Sequence, residues 1–310
     1  MHRRVMAAAG GGAKGIAQVQ VLKALEKEAQ CPLYTQYDLL IGSSVGAIDM
    51  AVLAAGKISM EEYAKNYRRY LTTIFKKRRL PFFGPKYSKK NFISLWNEII
   101  GDDIPFGAVK TKLMISSVDL IENKNYYFKS WKREHAKLSL CDIVVKSFSA
   151  PYYFGYTIDK KEKKIWADGG TGSANYPIGE LKNQIEALKW YHTAECKKGV
   201  NTCHIDIVGA LFPENTNTFK KMKRYRTLRQ TLHFFNIPEG GLARAQSRNN
   251  QLGKLLHIVE KNPTLSLKYW DKSIPAKMEG IDKLRYVDTY IRAGQEMAKK
   301  PLIALHRKET

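Results

Sequence analysis

The chain has 310 residues, 44% of them hydrophobic, and a formal charge of +23, enough apolar material for one large α/β domain and a strong attraction to anionic partners. No run of about eighteen apolar residues exists, and Val5 to Ala9 is too short for a signal peptide, which argues against a spanning helix or secretory leader and predicts a cytoplasmic protein. Cys31, Cys141, Cys196 and Cys203 lie far apart with no C-x-x-C pair, so neither a disulfide framework nor a metal site has support, and no cofactor is expected.

Arg4 to Ala9 reads as a short buried strand, followed by Gly10-Gly11-Gly12-Ala13-Lys14-Gly15 and a segment with helical spacing at Ile16, Val19, Leu22 and Leu25. Asp38 to Gly42 is a second buried strand, and Ser43-Ser44-Val45-Gly46 leads into the almost wholly apolar Ala47 to Ala55, a helix that must be central. Strand, crossover helix and strand within some thirty residues make a βαβ unit and favour a parallel sheet. Further strands fit Lys112 to Val118, Tyr126 to Phe128, Ile165 to Ala167 and His204 to Val208. Ser139-Leu140-Cys141-Asp142 has the form of a capping box, opening a helix that ends before Pro151. Cys203-His204 falls in a strand with no further ligand at metal spacing, so core packing is its reading. From about Asn215 the pattern turns helical and more basic, with candidate helices at Phe219 to Phe235, Leu242 to Val259 and Ile281 to Leu305.

Three segments carry chemistry. Gly42-Ser43-Ser44-Val45-Gly46 satisfies G-x-S-x-G at a strand-to-helix junction, where small flanking residues permit the sharp turn that holds a serine Oγ out over the strand end. Gly10-Gly11-Gly12 ends the neighbouring strand and can offer successive backbone N–H groups to an oxyanion, reinforced by the dipole of the helix from Gly15. The same loop reads as G-x-G-x-x-G, but a dinucleotide fold wants an acidic residue at the end of the second strand, which carries Gly42-Ser43-Ser44 instead. A phosphate loop fails too, because Ile16 follows Gly15. The third segment is Trp166-Ala167-Asp168-Gly169-Gly170, an acid leaving a strand into two glycines.

Together and in this order the three resemble the patatin-like phospholipase family, with its G-G-G-x-R/K-G anion loop, G-x-S-x-G elbow and D-G-G/A turn. Ser149 to Phe154, before the aspartate, and Asn175-Tyr176-Pro177, after it, fit the same resemblance, which covers about residues 4 to 180. Val208-Gly209-Ala210-Leu211 departs from it, standing where family members often show a glycine-rich turn. The resemblance implies a three-layer α/β/α fold with a mostly parallel central sheet; with the helical pattern that begins near Asn215, the chain divides into a hydrolase core, residues 1–214, and a basic helical C-terminal part, 215–310, packed on it. It implies Ser44 as nucleophile and Asp168 as general base, a dyad without histidine, and an oxyanion-binding set of Gly10, Gly11, Gly12 and Lys14, in which Gly11 and Gly12 are the leading N–H donors. Gly15, Gly42, Gly46, Gly169 and Gly170 support the motifs. The activity implied is calcium-independent release of fatty acid from phospholipid esters. The seven histidines fall in no recognisable motif, which sets a Ser-His-Asp triad below the dyad.

Phe75 to Lys90 interleaves cations with aromatics around two prolines, which suits docking on an anionic phospholipid surface; the bland reading is a loop whose aromatics pack inward. Phe219 to Arg229 carries six cations, a face for lipid headgroups, nucleotide phosphates or water alone. The leading reading is therefore a peripheral membrane lipase, able to oligomerise, with no specific nucleic acid as partner. A second gives the same hydrolase an anionic small-molecule activator, a cyclic nucleotide, as in membrane-degrading effectors of antiviral defence. A third is a basic nucleic-acid or dinucleotide binder without catalysis, driven by charge.

Overall fold

The computed structural model describes residues 2–77, 84–171, 175–187, 202–214 and 242–306. The expected helix at Phe219 to Phe235, its basic run and residues 78–83 of the aromatic-basic segment lie outside these.

Five parallel strands form the middle of the sheet. β1 (His2–Ala8) pairs β2 (Leu39–Ser43) on one side and β7 (Thr202–Val208) on the other; β3 (Lys112–Asp119) lies beyond β2, and β9 (Leu265–Trp270) beyond β7. Antiparallel strands finish both ends: β4 (Lys124–Lys129) and β6 (Lys164–Ala167) on β3, β5 (Thr157–Asp159) on β6, and β11 (Ile303–Leu305) on β9. β8 (Phe212–Pro213) and β10 (Ser273–Ile274) make a separate two-stranded pair.

The strands are buried on both faces, as a parallel sheet requires, and their residues divide between two cores by alternation. Val5, Ala7, Leu39 and Ile41 face α7 (Ile178–Ala187) and α8 (Leu242–Lys261) through Leu181, Ile185 and Leu255. Met6, Ala8 and Leu40 face the other core, which holds α1 (Gly15–Ala29), α2 (Val45–Ala55), α3 (Met60–Ile74), α4 (Lys89–Ile100), α6 (Leu140–Ser147) and α9 (Val287–Lys299); α5 (Arg133–Ala136) is a single turn beside β4. This is the expected three-layer α/β/α arrangement. Every residue of α2 is buried, which matches a helix apolar on nearly all sides. α6 opens as expected, with Ser139 Oγ accepting the Asp142 N–H at 3.0 Å.

The C-terminal residues hold the helices α8 and α9, but the chain also returns to the sheet between and after them. Leu265 to Tyr269 alternates buried and half-buried side chains, a period of two rather than 3.6. The helix expected over Ile281 to Leu305 is confined to Val287–Lys299, because Pro301 drives Lys300 into an extended conformation (φ −156°, ψ 128°) and the chain continues as β11.

Candidate active site

The C-terminal ends of β1, β2 and β6 bring the functional segments together. Ser44 stands alone between β2 and α2 with φ 53° and ψ −123°, a conformation that side chains other than glycine adopt only under strain. The turn closes because Gly42 and Gly46 lack side chains: a Cβ on Gly46 would lie 2.7 Å from Ala9 O, and one on Gly42 2.6 Å from Ala47 Cα. Ser44 is thereby lifted clear of the sheet, at the positive end of α2.

Its hydroxyl donates to Asp168 Oδ2 at 2.6 Å, and its N–H donates to Ser147 Oγ at 3.0 Å. Asp168, 7% exposed, follows β6 directly, where its own N–H donates to Ser149 O. The other carboxylate oxygen, Oδ1, accepts the Gly170 N–H at 2.6 Å from the Gly169–Thr171 turn, which fixes the plane of the carboxylate. The two residues the motifs singled out are thus in direct contact.

The glycine loop runs beside them: a Cβ on Gly10 would come within 2.9 Å of Ser44 Cβ. Its residues are not equivalent. The Gly10 N–H is committed to Asn175 O at 3.0 Å, whereas no acceptor among the described residues takes the N–H of Gly11 or Gly12. Gly12 has φ +60° and packs on Ile281, leaving room for no side chain. Lys14, placed in the oxyanion set by its motif position, points elsewhere. It is 4% exposed, and its Nζ meets Glu279 Oε2 at 2.8 Å and Leu211 O at 3.3 Å. Gly15 opens α1 against Val45, the first residue of α2.

A narrow apolar cleft runs from this polar end into the helical layer. Ser44, Asp168 and Gly12 form one part of its wall; Ile48, Tyr67, Trp96, Phe148, Phe154 and Ile281 form much of the rest. Beneath it, one turn along α2 from Ser44, lies the fully buried Asp49. Its Oδ1 accepts the hydroxyls of Tyr63 (2.9 Å) and Tyr67 (3.1 Å), and Oδ2 has no partner among the described residues. Burial pushes its carboxyl up to about 8, opposed by the two tyrosine hydroxyls.

Phe75 and Tyr87 of the aromatic-basic segment are buried and pack on Phe154 at ring distances of 5.8 and 5.6 Å, so in the described residues these aromatics turn inward while Lys76 and Lys77 stay exposed. His204 contacts Ser266 Oγ and Asp206, and His135 contacts Tyr126 and the Lys129 N–H, so both are engaged away from Ser44. Among the described residues no group of three or more His, Cys, Asp or Glu could hold a metal ion.

The family model for patatin-like phospholipases matches residues 6–182. The chain belongs to the patatin-like phospholipase family. It is 27% identical over 198 residues to a cGAMP-activated phospholipase of Vibrio cholerae serotype O1, covering 56% of this chain and 55% of the relative. It is 51% identical over 53 residues to a cUMP-AMP-activated phospholipase of Escherichia coli, 17% of each chain. The chain thus spans about half, or less, of the length of these relatives. The solved structure of VipD from Legionella pneumophila superposes with a TM-score of 0.42 at 10% identity, covering 96% of this chain and 67% of VipD. Glu279 and Ile281 lie beyond the matched segment of this patatin-like chain, and no motif reading singled them out.

Proposed function

We propose that the chain is a lipid acyl hydrolase that releases fatty acid from phospholipid esters, with Ser44 as nucleophile, Asp168 as general base and the Gly11 and Gly12 amides as oxyanion donors. The observation that carries this reading is the 2.6 Å hydrogen bond from Ser44 Oγ to Asp168 Oδ2 at the polar end of an apolar cleft. Asp168 takes the hydroxyl proton as Oγ bonds to the ester carbonyl carbon, and the carbonyl oxygen becomes an anion facing the Gly11 and Gly12 amides. The intermediate collapses, the C–O bond to the glycerol oxygen breaks, and Asp168 returns the proton to that oxygen. Water then attacks the acyl-serine and gives its proton to Asp168, the bond from the acyl carbon to Oγ breaks, Asp168 passes the proton to Oγ, and the fatty acid leaves with Ser44 restored. No step calls on calcium. The acyl chain lies along the apolar wall while the headgroup stays outside.

Membrane contact is part of the reading. Tyr152 (70% exposed) and Ile158 (67%) flank the turn that carries the cleft-lining Phe154, with the exposed Lys90 on the neighbouring segment. Exposed aromatic and aliphatic groups beside a lysine suit an anionic lipid surface. Among the described residues no helix is long and apolar enough to cross a membrane. A second reading adds a switch: two relatives named above are activated by cyclic dinucleotides, and a chain with charge +23 suits such an anionic activator.

The test is fatty-acid release from vesicles of phosphatidylglycerol and phosphatidylcholine in the presence of chelator, for the native chain, Ser44→Ala and Asp168→Asn, with and without cyclic dinucleotides. Release that survives chelation and disappears in both variants supports the dyad, and dependence on a dinucleotide supports the switch. Undiminished release by Ser44→Ala would overturn the reading.

A further inference from the structure

We propose that Glu279 is a positioning residue for acyl transfer, holding the Gly11 and Gly12 amides in place through Lys14 with the help of the Ile281 carbonyl; the proposal rests on the reading of Ser44, Asp168 and the glycine loop given above. Three successive glycines have more backbone freedom than any other tripeptide, so a loop that must hold two amides on one point needs constraint from outside. From within, the loop supplies a long bond from the Lys14 N–H to Gly11 O at 3.4 Å and, at its far end, bonds from the Gly15 N–H to Gly12 O and Ala13 O.

Gly10 is tied to Asn175 O and Gly11 lies against Ala210; the part of the loop from Gly12 to Lys14 is held by the segment 279–282. Ile281 O accepts the Ala13 N–H at 2.7 Å, in the residue next to Gly12. Ile281 also presses on Gly12 itself, where a Cβ would lie 2.6 Å from Ile281 Cα. Lys14 Nζ is held at 2.8 Å by Glu279 Oε2, the two side chains being 5% and 7% exposed. The far end of the segment is tied as well: Asp282 Oδ2 accepts from Lys86 Nζ at 2.5 Å and from the Tyr87 hydroxyl at 2.7 Å.

Stability alone does not account for a buried ion pair here. Removing both charges from water costs about what their attraction returns, and an apolar pair of the same volume commonly serves stability equally well. What the pair supplies is a fixed direction for Lys14, two residues from Gly12. An oxyanion donor is useful only where charge develops, so small displacements of the loop act on kcat rather than on ground-state binding.

The test measures kcat and KM on the soluble ester 4-nitrophenyl butyrate, the rate of Ser44 labelling by a fluorophosphonate, and the melting curve, for the full chain and its variants. Glu279→Gln is expected to melt cooperatively and to lose about 10- to 100-fold in kcat with KM within about twofold, and Glu279→Asp to recover part of the loss. Glu279→Gln leaves the Lys14 charge unpaired, so the double variant Lys14→Met with Glu279→Gln, which removes both charges, carries the test if the single variant does not fold. A folded variant with native kcat, or one in which only KM rises, overturns the positioning role while the labelled native enzyme leaves the Ser44 reading standing. A native chain that neither turns over nor takes the label overturns both.

Discussion

Ser44 and Asp168 are 124 residues apart in the chain, and their side chains meet at 2.6 Å. Two motifs on different strands thus converge on one hydrogen bond. Removing either side, by Ser44→Ala or Asp168→Asn, is expected to lower kcat by at least about 10³-fold, with the double variant no worse than the poorer single, because the two act as one unit. Steady-state kinetics on a soluble ester checks both statements.

The backbone of Ser44 should register in stability. Ser44→Gly and Ser44→Ala both lack the hydroxyl, but only alanine keeps a Cβ at φ 53°. Ser44→Gly is expected to be the more stable of the two by about 1 kcal/mol, read from chemical denaturation.

Gly46→Ala is expected to cost about 3 kcal/mol, or to prevent folding, because the new methyl would meet the backbone of Ala8 and Ala9, which has no room to withdraw. The measurement is the denaturation midpoint. A Gly46→Ala variant as stable as the native chain would show that the turn is looser than these contacts imply.

Asp49 gives a pH prediction. Its folded value of about 8 lies above the ordinary carboxylate range, so the folded chain binds a proton that the unfolded chain releases above pH 4. Its contribution to stability is fully present below about pH 4 and is lost as pH rises through 8. Asp49→Asn, permanently neutral, should therefore gain on the native chain across that window, by at most about 1.4 kcal/mol per pH unit. Thermal melts between pH 5 and 8 test this, and parallel curves for the two proteins would contradict it.

Ile48 lines the cleft one turn after Ser44. Ile48→Phe is expected to slow hydrolysis of palmitoyl esters by about 10-fold or more while leaving butyryl esters within about threefold, because only the longer chain needs the deeper space. Equal losses on both would place the acyl chain elsewhere.

Much of this site was legible because its geometry is local. The strand, turn and helix around Ser44 lie within a short stretch, and the small residues at 42 and 46 have a steric reason visible in the pentapeptide itself. The parallel sheet followed from one βαβ unit. What escaped the sequence depends on distant partners: Asn175 takes the Gly10 amide across 165 residues, and Glu279 takes Lys14 across 265. A lysine in an anion-loop motif suggests a free charge, and nothing near Lys14 announces the carboxylate that engages it. β9 was readable in principle, since Leu265, Leu267 and Tyr269 alternate, but the helical stretch before it masked a change of period over six residues.

The position of β1 bears on how far such a chain can be shortened. Its seven residues have β2 on one edge and β7 on the other, and β7 lies beyond the segment the family model matches. A fragment ending at residue 182, where the match ends, would keep Ser44, Asp168 and the three glycines, yet leave the full length of β1 with one bare edge of unpaired amides and carbonyls over the apolar Val5 to Ala8. Such a piece would be expected to recruit strands from its neighbours and precipitate, so recombination among relatives would have to exchange this block together with the strands that close it.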